Sequence, residues 1–266
     1  MSKTGMVGFL CLIWVAIWAG PCLALDLGIS PPDISIQISP GQTYQGEIFV
    51  FGSDRETTQV TIFKNDWFLT SAGAYQFLPM GTVKRSAAPW VTLQANRLSL
   101  APKTGQRVQY TLKVPADASG SYWTALMFST VPAAAPGNGR FQIAMSGRVA
   151  YIMRIDVNGS APGRGSIERF HLNWDAKQQK IVAALRVKNS GESFVRFKGR
   201  LEIRDNRGRI VNVLSFGEGL ILPGSAQEFR LQEYSFHFQP GYYVGLAVAD
   251  LGDQSLKAVQ TTFQVK

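Results

Sequence analysis

The sequence has 266 residues, of which 45% are hydrophobic and 17% are charged, and its formal net charge is +9. This composition excludes an intrinsically disordered chain, because such chains carry few apolar residues and a high density of charge. Two cysteines and two histidines exclude a dense disulfide scaffold and a zinc site built from these residue types. The length suits two domains of ordinary size.

Residues 1–24 predict a signal peptide that is cleaved after Ala24. Lys3 gives a positive start, residues 6–18 are mostly apolar, and small residues precede the cleavage position. The apolar run is shorter than the roughly 20 residues of a membrane span, which favours a cleaved signal peptide. A retained membrane anchor is the alternative. Cleavage removes Cys11 and Cys22, which leaves a mature chain without cysteine. The protein is therefore expected in the periplasm or outside the cell.

Residues 25–157 predict a first β-sandwich built from short strands separated by turns. Its opening strand is interrupted by the Pro31-Pro32 pair, which favours an edge strand. The next two strands, 45–51 and 59–64, are joined by a polar turn and predict a hairpin. The remaining predicted strands are 90–93, 97–100, 107–114, 122–130 and 141–157.

The strand at residues 141–157 is much longer than usual. Every second residue from Phe141 to Val157 is apolar except Gly147, which predicts a strand with one hydrophobic face. At about 3.3 Å per residue, one sandwich core cannot cover its whole length. Either the strand bends near Gly147, or its first half offers hydrophobic side chains and an unpaired edge to another molecule.

Residues 158–165 (NGSAPGRG) predict a linker, and residues 166–266 predict a second immunoglobulin-like β-sandwich. Its seven expected strands are 167–172, 180–188, 197–204, 209–216, 227–233, 243–250 and 258–265. Gly-x-Tyr sequences precede strands in both sandwiches, at Tyr122 and Tyr243. They resemble the tyrosine corner of sandwich folds, which predicts structural roles for both rings.

The sequence offers no support for catalysis, a metal, a cofactor or nucleic-acid binding. His171 and His237 are the only histidines, and neither has a second ligand at metal-binding spacing. No glycine-rich phosphate loop lies between a strand and a helix. We therefore expect a protein that is not an enzyme.

A row of cations lies in one phase of the strand at 197–204. Arg196, Lys198, Arg200 and Arg204 alternate with apolar residues, so they project from one face of the strand. Such a row could bind an anionic glycan or an acidic partner. The alternative is a solvated face that discourages edge pairing.

Several phrases in residues 27–157 resemble the first domain of PapD-like periplasmic pilus-assembly chaperones. They are PWVTL at 89–93, LSLAP at 98–102, Val114-Pro115, and Gly120-Ser121-Tyr122. The second half looks like a generic immunoglobulin-like sandwich of bacterial surface and accessory proteins. The resemblance implies an all-β fold of two such sandwiches in tandem after a signal peptide.

The resemblance also implies a mechanism, in which the chaperone lends alternating hydrophobic residues of a strand to an incomplete subunit. Phe141, Ile143 and Met145 would be those residues here. The family carries a lysine later in this strand that helps hold the terminal carboxylate of the subunit, and alignment places Ala150 there. Arg148 and Arg154 are the candidates to replace it. The family's partner arginine has no counterpart, because residues 27–38 contain no basic residue.

The leading hypothesis is an exported chaperone-like factor that binds pilus or surface subunits by edge-strand addition. The rival hypothesis is a cell-surface or matrix adhesion module that binds anionic glycan through the row of cations. Contact with a membrane is expected only if the signal segment is retained.

Overall fold

The computed structural model describes residues 27–130, 146–231, 234–235, 237–253 and 255–266. The predicted signal peptide therefore lies outside the described residues. The strands are β1 Gly28–Ser30, β2 Asp33–Ile38, β3 Thr43–Phe51, β4 Thr58–Leu69, β5 Tyr75–Pro79, β6 Val91–Leu93, β7 Arg97–Leu100, β8 Gly105–Lys113, β9 Ser121–Thr130, β10 Arg148–Val157, β11 Gly165–Asp175, β12 Lys180–Asn189, β13 Val195–Arg204, β14 Ile210–Ile221, β15 Ala226–Arg230, β16 Tyr234–Ser235, β17 Gly241–Asp250 and β18 Lys257–Val265. One 3₁₀ turn, Ala88–Trp90, precedes β6. Across these ranges, no helix has the length and apolar character needed to span a bilayer.

The first sandwich consists of two sheets. Sheet A has the order β1-β3-β8-β6, and sheet B has the order β2-β10-β9-β4-β5 with β7 beside β4. Alternate residues of each strand point inward, because side chains alternate across a strand. Its core includes Ile48, Val50, Leu112, Leu126, Phe128, Tyr151, Met153 and Ile155.

The chain passes between the two sheets three times from β1 to β4, because β1 and β3 belong to sheet A and β2 and β4 belong to sheet B. A cis peptide bond at Ser30-Pro31 separates β1, at the edge of sheet A, from β2, at the edge of sheet B. The expected proline-interrupted edge strand is thus confirmed. The expected hairpin at 45–51 and 59–64 is wrong, because β3 pairs with β8 while β4 pairs with β9. Strands β3 and β4 lie in different sheets, and their inward residues face each other across the core. The polar segment between β3 and β4 therefore crosses from sheet A to sheet B.

The second sandwich also consists of two sheets. Sheet C has the order β11-β12-β15 with β16 beside β12, and sheet D has the order β14-β13-β17-β18. Its core includes Ile181, Leu185, Val187, Phe197, Leu201, Ile203, Ile221 and Ala247. The hydroxyl of Tyr243 donates to the carbonyl of Gln239 over 2.8 Å, as in a tyrosine corner. The all-β fold of two sandwiches is confirmed, and the division at residues 158–165 stays a prediction.

A third apolar cluster lies on the outer face of sheet B, against the second sandwich. This junction cluster contains Trp67, Trp123, Ala125, Met127, Ile152, Phe194 and Leu222. Phe194 and Leu222 belong to the second sandwich, and the other members belong to β4, β9 and β10. Sheet B is therefore covered on both faces where the two sandwiches meet.

Candidate strand-docking edge

Strand β10 uses both of its faces for packing. Tyr151, Met153 and Ile155 point into the core of the first sandwich, whereas Ile152 belongs to the junction cluster. This agrees with the hydrophobic phase expected for the strand. The candidate residues Phe141, Ile143 and Met145 precede β10 and lie outside the described residues.

Only the second half of β10 has a neighbour on both sides. Strand β9 pairs with β10 from Arg148 to Asp156, but β2 pairs with it only from Ile152 to Val157. The N–H of Ile152 donates to the carbonyl of Pro32 over 3.1 Å. The pairing ends there, because β1, which precedes the prolines, belongs to sheet A. Residues 148–151 therefore have β9 on one side and, among the described residues, no strand on the other. We call this stretch the open edge.

The backbone groups of the open edge have a known direction. Gly147 accepts a hydrogen bond from the N–H of Thr130 over 2.9 Å, so odd-numbered residues of this segment bond to β9. The N–H of Ile152 points the other way, towards β2. Because backbone groups alternate in direction along a strand, the N–H and C=O of Arg148 and Ala150 point away from β9, beyond the edge of the sheet. An added strand would find these groups available for pairing.

The open edge differs from the edge strand β14 of the second sandwich. Strand β14, at the edge of sheet D, pairs with β13 through two register shifts, and side chains of Asn212 and Ser215 accept from the N–H groups of Val213 and Gly217. Bulges and side-chain caps of this kind discourage strand addition. The pairing of β9 with β10 has no register shift from Arg148 to Asp156. The open edge therefore has the regular geometry that another strand needs.

The two candidate arginines have different surroundings. The Arg154 guanidinium bonds to Asp33 over 2.8 Å and to the hydroxyl of Ser35 over 3.1 Å. These contacts tie β10 to the edge strand β2. Arg148 begins the open edge, and its guanidinium carbon lies 5.3 Å from the centre of the Phe63 ring, a cation–π arrangement. The backbone of Arg148 thus lies on the open edge, while its guanidinium reaches across β9 towards β4.

A buried pair of tyrosines supports the open edge from inside the core. The hydroxyl oxygens of Tyr151 and Tyr110 are 3.0 Å apart. Burial raises the pKa of Tyr110 far above its usual value, and the Tyr151 hydroxyl contributes to this rise. Burial also raises the pKa of Tyr151. Strand alternation predicts that Tyr151 points inward, but the sequence contains no signal for its partner on β8.

The four cations of the predicted basic row all have carboxylate partners. The ion pairs are Arg196 with Asp156 at 3.2 Å, Lys198 with Glu218 at 2.8 Å, and Arg200 and Arg204 with Glu202 at 2.9 and 2.6 Å. Hydrogen bonds from Arg204 and Arg200 lower the pKa of Glu202, whose side chain is only 8% exposed. The row therefore carries less uncompensated positive charge than the sequence suggests.

Both histidines are exposed at the surface. His171 is exposed on β11, and His237 is exposed in the segment before β17. Within the described part of the chain, no three His, Cys, Asp or Glu side chains are grouped so that they could hold a metal ion.

In overall structure, the chain is similar to fimbrial chaperones. It resembles the class 5 fimbriae chaperone CfaA with a TM-score of 0.47 and 11% identity, covering 89% of this chain and 98% of CfaA. It also resembles a chain of the CsuC–CsuE chaperone–tip adhesion subunit complex from Acinetobacter baumannii with a TM-score of 0.42 and 10% identity, covering 88% and 97% of the two chains. The E. coli chaperone DraB gives a TM-score of 0.42 and 9% identity, with coverages of 91% and 98%.

No protein-family model matches the sequence, and no curated protein matches it.

Proposed function

We propose that this protein is an exported, non-catalytic chaperone-like factor that binds pilus or surface subunits by adding a strand to the open edge. The proposal includes export to the periplasm or the cell exterior, since residues 1–24 have the pattern of a cleaved signal peptide.

The observation that carries the proposal is the regular backbone at residues 148–151, which has a strand on only one side among the described residues. Strand addition obtains its affinity from main-chain hydrogen bonds and its specificity from alternate side chains. The alternating residues Phe141, Ile143 and Met145 come just before this backbone in the sequence. Together they would present both the hydrogen-bonding groups and the side chains that an incomplete subunit needs.

Arg148 is the better candidate of the two arginines to meet a carboxylate of the partner, because its backbone lies on the open edge and its guanidinium would give up only the contact with the Phe63 ring. Arg154 would have to exchange its contact with Asp33 first. The glycan hypothesis has no observation in its favour, since each cation of its row is paired within the protein.

The direct test removes one outward N–H group without removing a bond to β9. Proline at position 150 lacks the N–H that an added strand would use, and proline is tolerated at strand edges where that group faces solvent. Ala150→Val is the matched control, because it enlarges the side chain and keeps the N–H. Each variant is co-expressed with candidate pilus or surface subunits of the same organism, and co-purification is measured.

We expect Ala150→Pro to lose the subunit and Ala150→Val to retain it, with both variants unfolding at similar temperatures. Equal retention by both variants would show that the open edge is not the binding site. A second variant, Ile143→Asp, should also weaken subunit binding and leave thermal unfolding nearly unchanged. A large loss of stability without loss of binding would instead assign Ile143 to a core.

A further inference from the structure

The hairpin of β4 and β5 reaches from the first sandwich to the second. Pairing of β4 with β9 ends at Asn65, and beyond it β4 pairs only with β5, up to Leu69 opposite Tyr75. Two hydrogen bonds from tryptophan indole N–H groups hold the base of this extension. Trp67 Nε1 donates to the carbonyl of Thr124 over 2.9 Å, and Trp123 Nε1 donates to the carbonyl of Trp67 over 2.6 Å. The hairpin base is therefore fixed to sheet B.

The tip of the hairpin is a turn of small, exposed residues. The sequence from Ser71 to Ala74 is SAGA, and all four residues are exposed. The N–H of Gly73 donates to the carbonyl of Thr70 over 2.9 Å, which closes the turn. One backbone bond joins the tip to the second sandwich: the N–H of Glu228 donates to the carbonyl of Ser71 over 2.8 Å. Glu228 lies on β15, so the tip covers an edge of sheet C.

A buried amide beside this contact has no hydrogen-bond partner. The side chain of Gln227 belongs to a residue only 3% exposed, and its Nε2 finds no partner among the described residues. Gln227 adjoins the tip, because a Cβ atom placed on Gly73 would lie 3.8 Å from Gln227 Oε1. A buried donor without a partner destabilises the arrangement that buries it. Among the described residues, one backbone hydrogen bond holds the docked tip and one unpaired amide opposes it, while Leu69 at the end of β4 packs against the junction cluster.

Elsewhere in the junction, Ser121 makes several hydrogen bonds. The N–H of Ser121 donates to the carbonyl of Glu192 over 2.8 Å, and its hydroxyl accepts from the N–H of Phe194 over 2.8 Å. The same hydroxyl donates to Asp156 over 2.5 Å. These bonds and the buried junction cluster hold the two sandwiches together independently of the hairpin tip.

We propose that the hairpin tip, residues 70–74, is a clasp that releases Gln227 and Glu228 while both sandwiches stay folded. Opening lets water reach the unpaired amide of Gln227 and uncovers the edge of β15. The clasp is independent of the open edge on β10, and its test does not involve a subunit.

The test is hydrogen exchange at single backbone amides of the full chain, followed by NMR. The Glu228 amide reports the clasp, and the Asn189 amide, which donates to the carbonyl of Ser225 over 2.9 Å in the same sandwich, reports opening of the fold itself. We expect Glu228 to exchange much faster than Asn189. The variant Gln227→Met removes the unpaired donor and should slow exchange at Glu228 about tenfold, while exchange at Asn189 changes less.

Gln260→Met is the matched control, because Gln260 is exposed on β18 far from the tip in sequence. It should leave exchange at Glu228 unchanged. Equal exchange rates at Glu228 and Asn189 in the unmodified protein would overturn the clasp, since Glu228 would then open only with the whole fold. If Gln227→Met fails to fold, Gln227→Leu serves the same purpose. Unchanged exchange at Glu228 in a folded variant would overturn the role of the amide.

Discussion

The buried tyrosine pair behind the open edge gives a quantitative prediction. Tyr151 is 0% exposed and Tyr110 is 2% exposed, and their hydroxyls share one hydrogen bond at 3.0 Å. Replacing Tyr110 with Phe removes one hydroxyl and leaves the other buried without this partner. Such a loss costs about 1–3 kcal/mol, whereas replacing both residues with Phe can be nearly neutral. The double variant should therefore be more stable than the Tyr110→Phe variant.

Urea unfolding of the single and double variants measures this difference, with the free energy of unfolding as the readout. The pH dependence gives a second check. Because the pKa of Tyr110 is raised in the folded protein above its usual 10.0, the folded state binds the proton more tightly than the unfolded state. Stability is therefore complete below about pH 10 and falls as the pH rises further. The double Phe variant should lose less stability above pH 10. A double variant that is less stable than either single variant would refute the hydrogen-bond argument.

Two further predictions concern the junction and the basic row. Gly120→Ala should destabilise the protein more than Gly159→Ala in thermal unfolding. Both glycines have a positive φ, which disfavours any side chain. Only at Gly120 would the new Cβ also collide with a backbone atom, the carbonyl oxygen of Glu192. Equal losses would show that the close approach at Gly120 is unimportant. Glu202, whose pKa is lowered by hydrogen bonds from its two arginines, should contribute stability above its usual pKa of 4.5 that is lost as the pH falls below it. An acid titration of unfolding should show this loss in the native protein and less of it in Glu202→Gln.

Local alternation of apolar and polar residues predicts most strands of this protein. The inward residues of β10 follow from their spacing alone, because side chains of a strand must alternate between two faces. The Pro31-Pro32 pair likewise predicts an interrupted edge strand, since proline cannot donate to a ladder. The seven strands expected in residues 166–266 are also present, with a short additional strand, β16, after β15.

Alternation does not say which strands become neighbours. The hairpin expected at 45–51 and 59–64 is wrong for this reason: both strands alternate correctly, but they belong to different sheets. The basic row is a similar case. Arg196 is paired with Asp156 of β10, and Lys198 is paired with Glu218 of β14, so its neutralisation depends on contacts between distant segments.

The sequence by itself determined the all-β class, the inward face of β10 and the excess length of its strand pattern. Only the tertiary structure decided that β2 begins at Asp33, which leaves residues 148–151 without a second neighbouring strand among the described residues. It also decided that the β4–β5 hairpin meets β15 beside an unpaired amide. The physical reason is that the period of a strand fixes the direction of its own side chains. Hydrogen-bonding neighbours are chosen by packing among segments far apart in the chain.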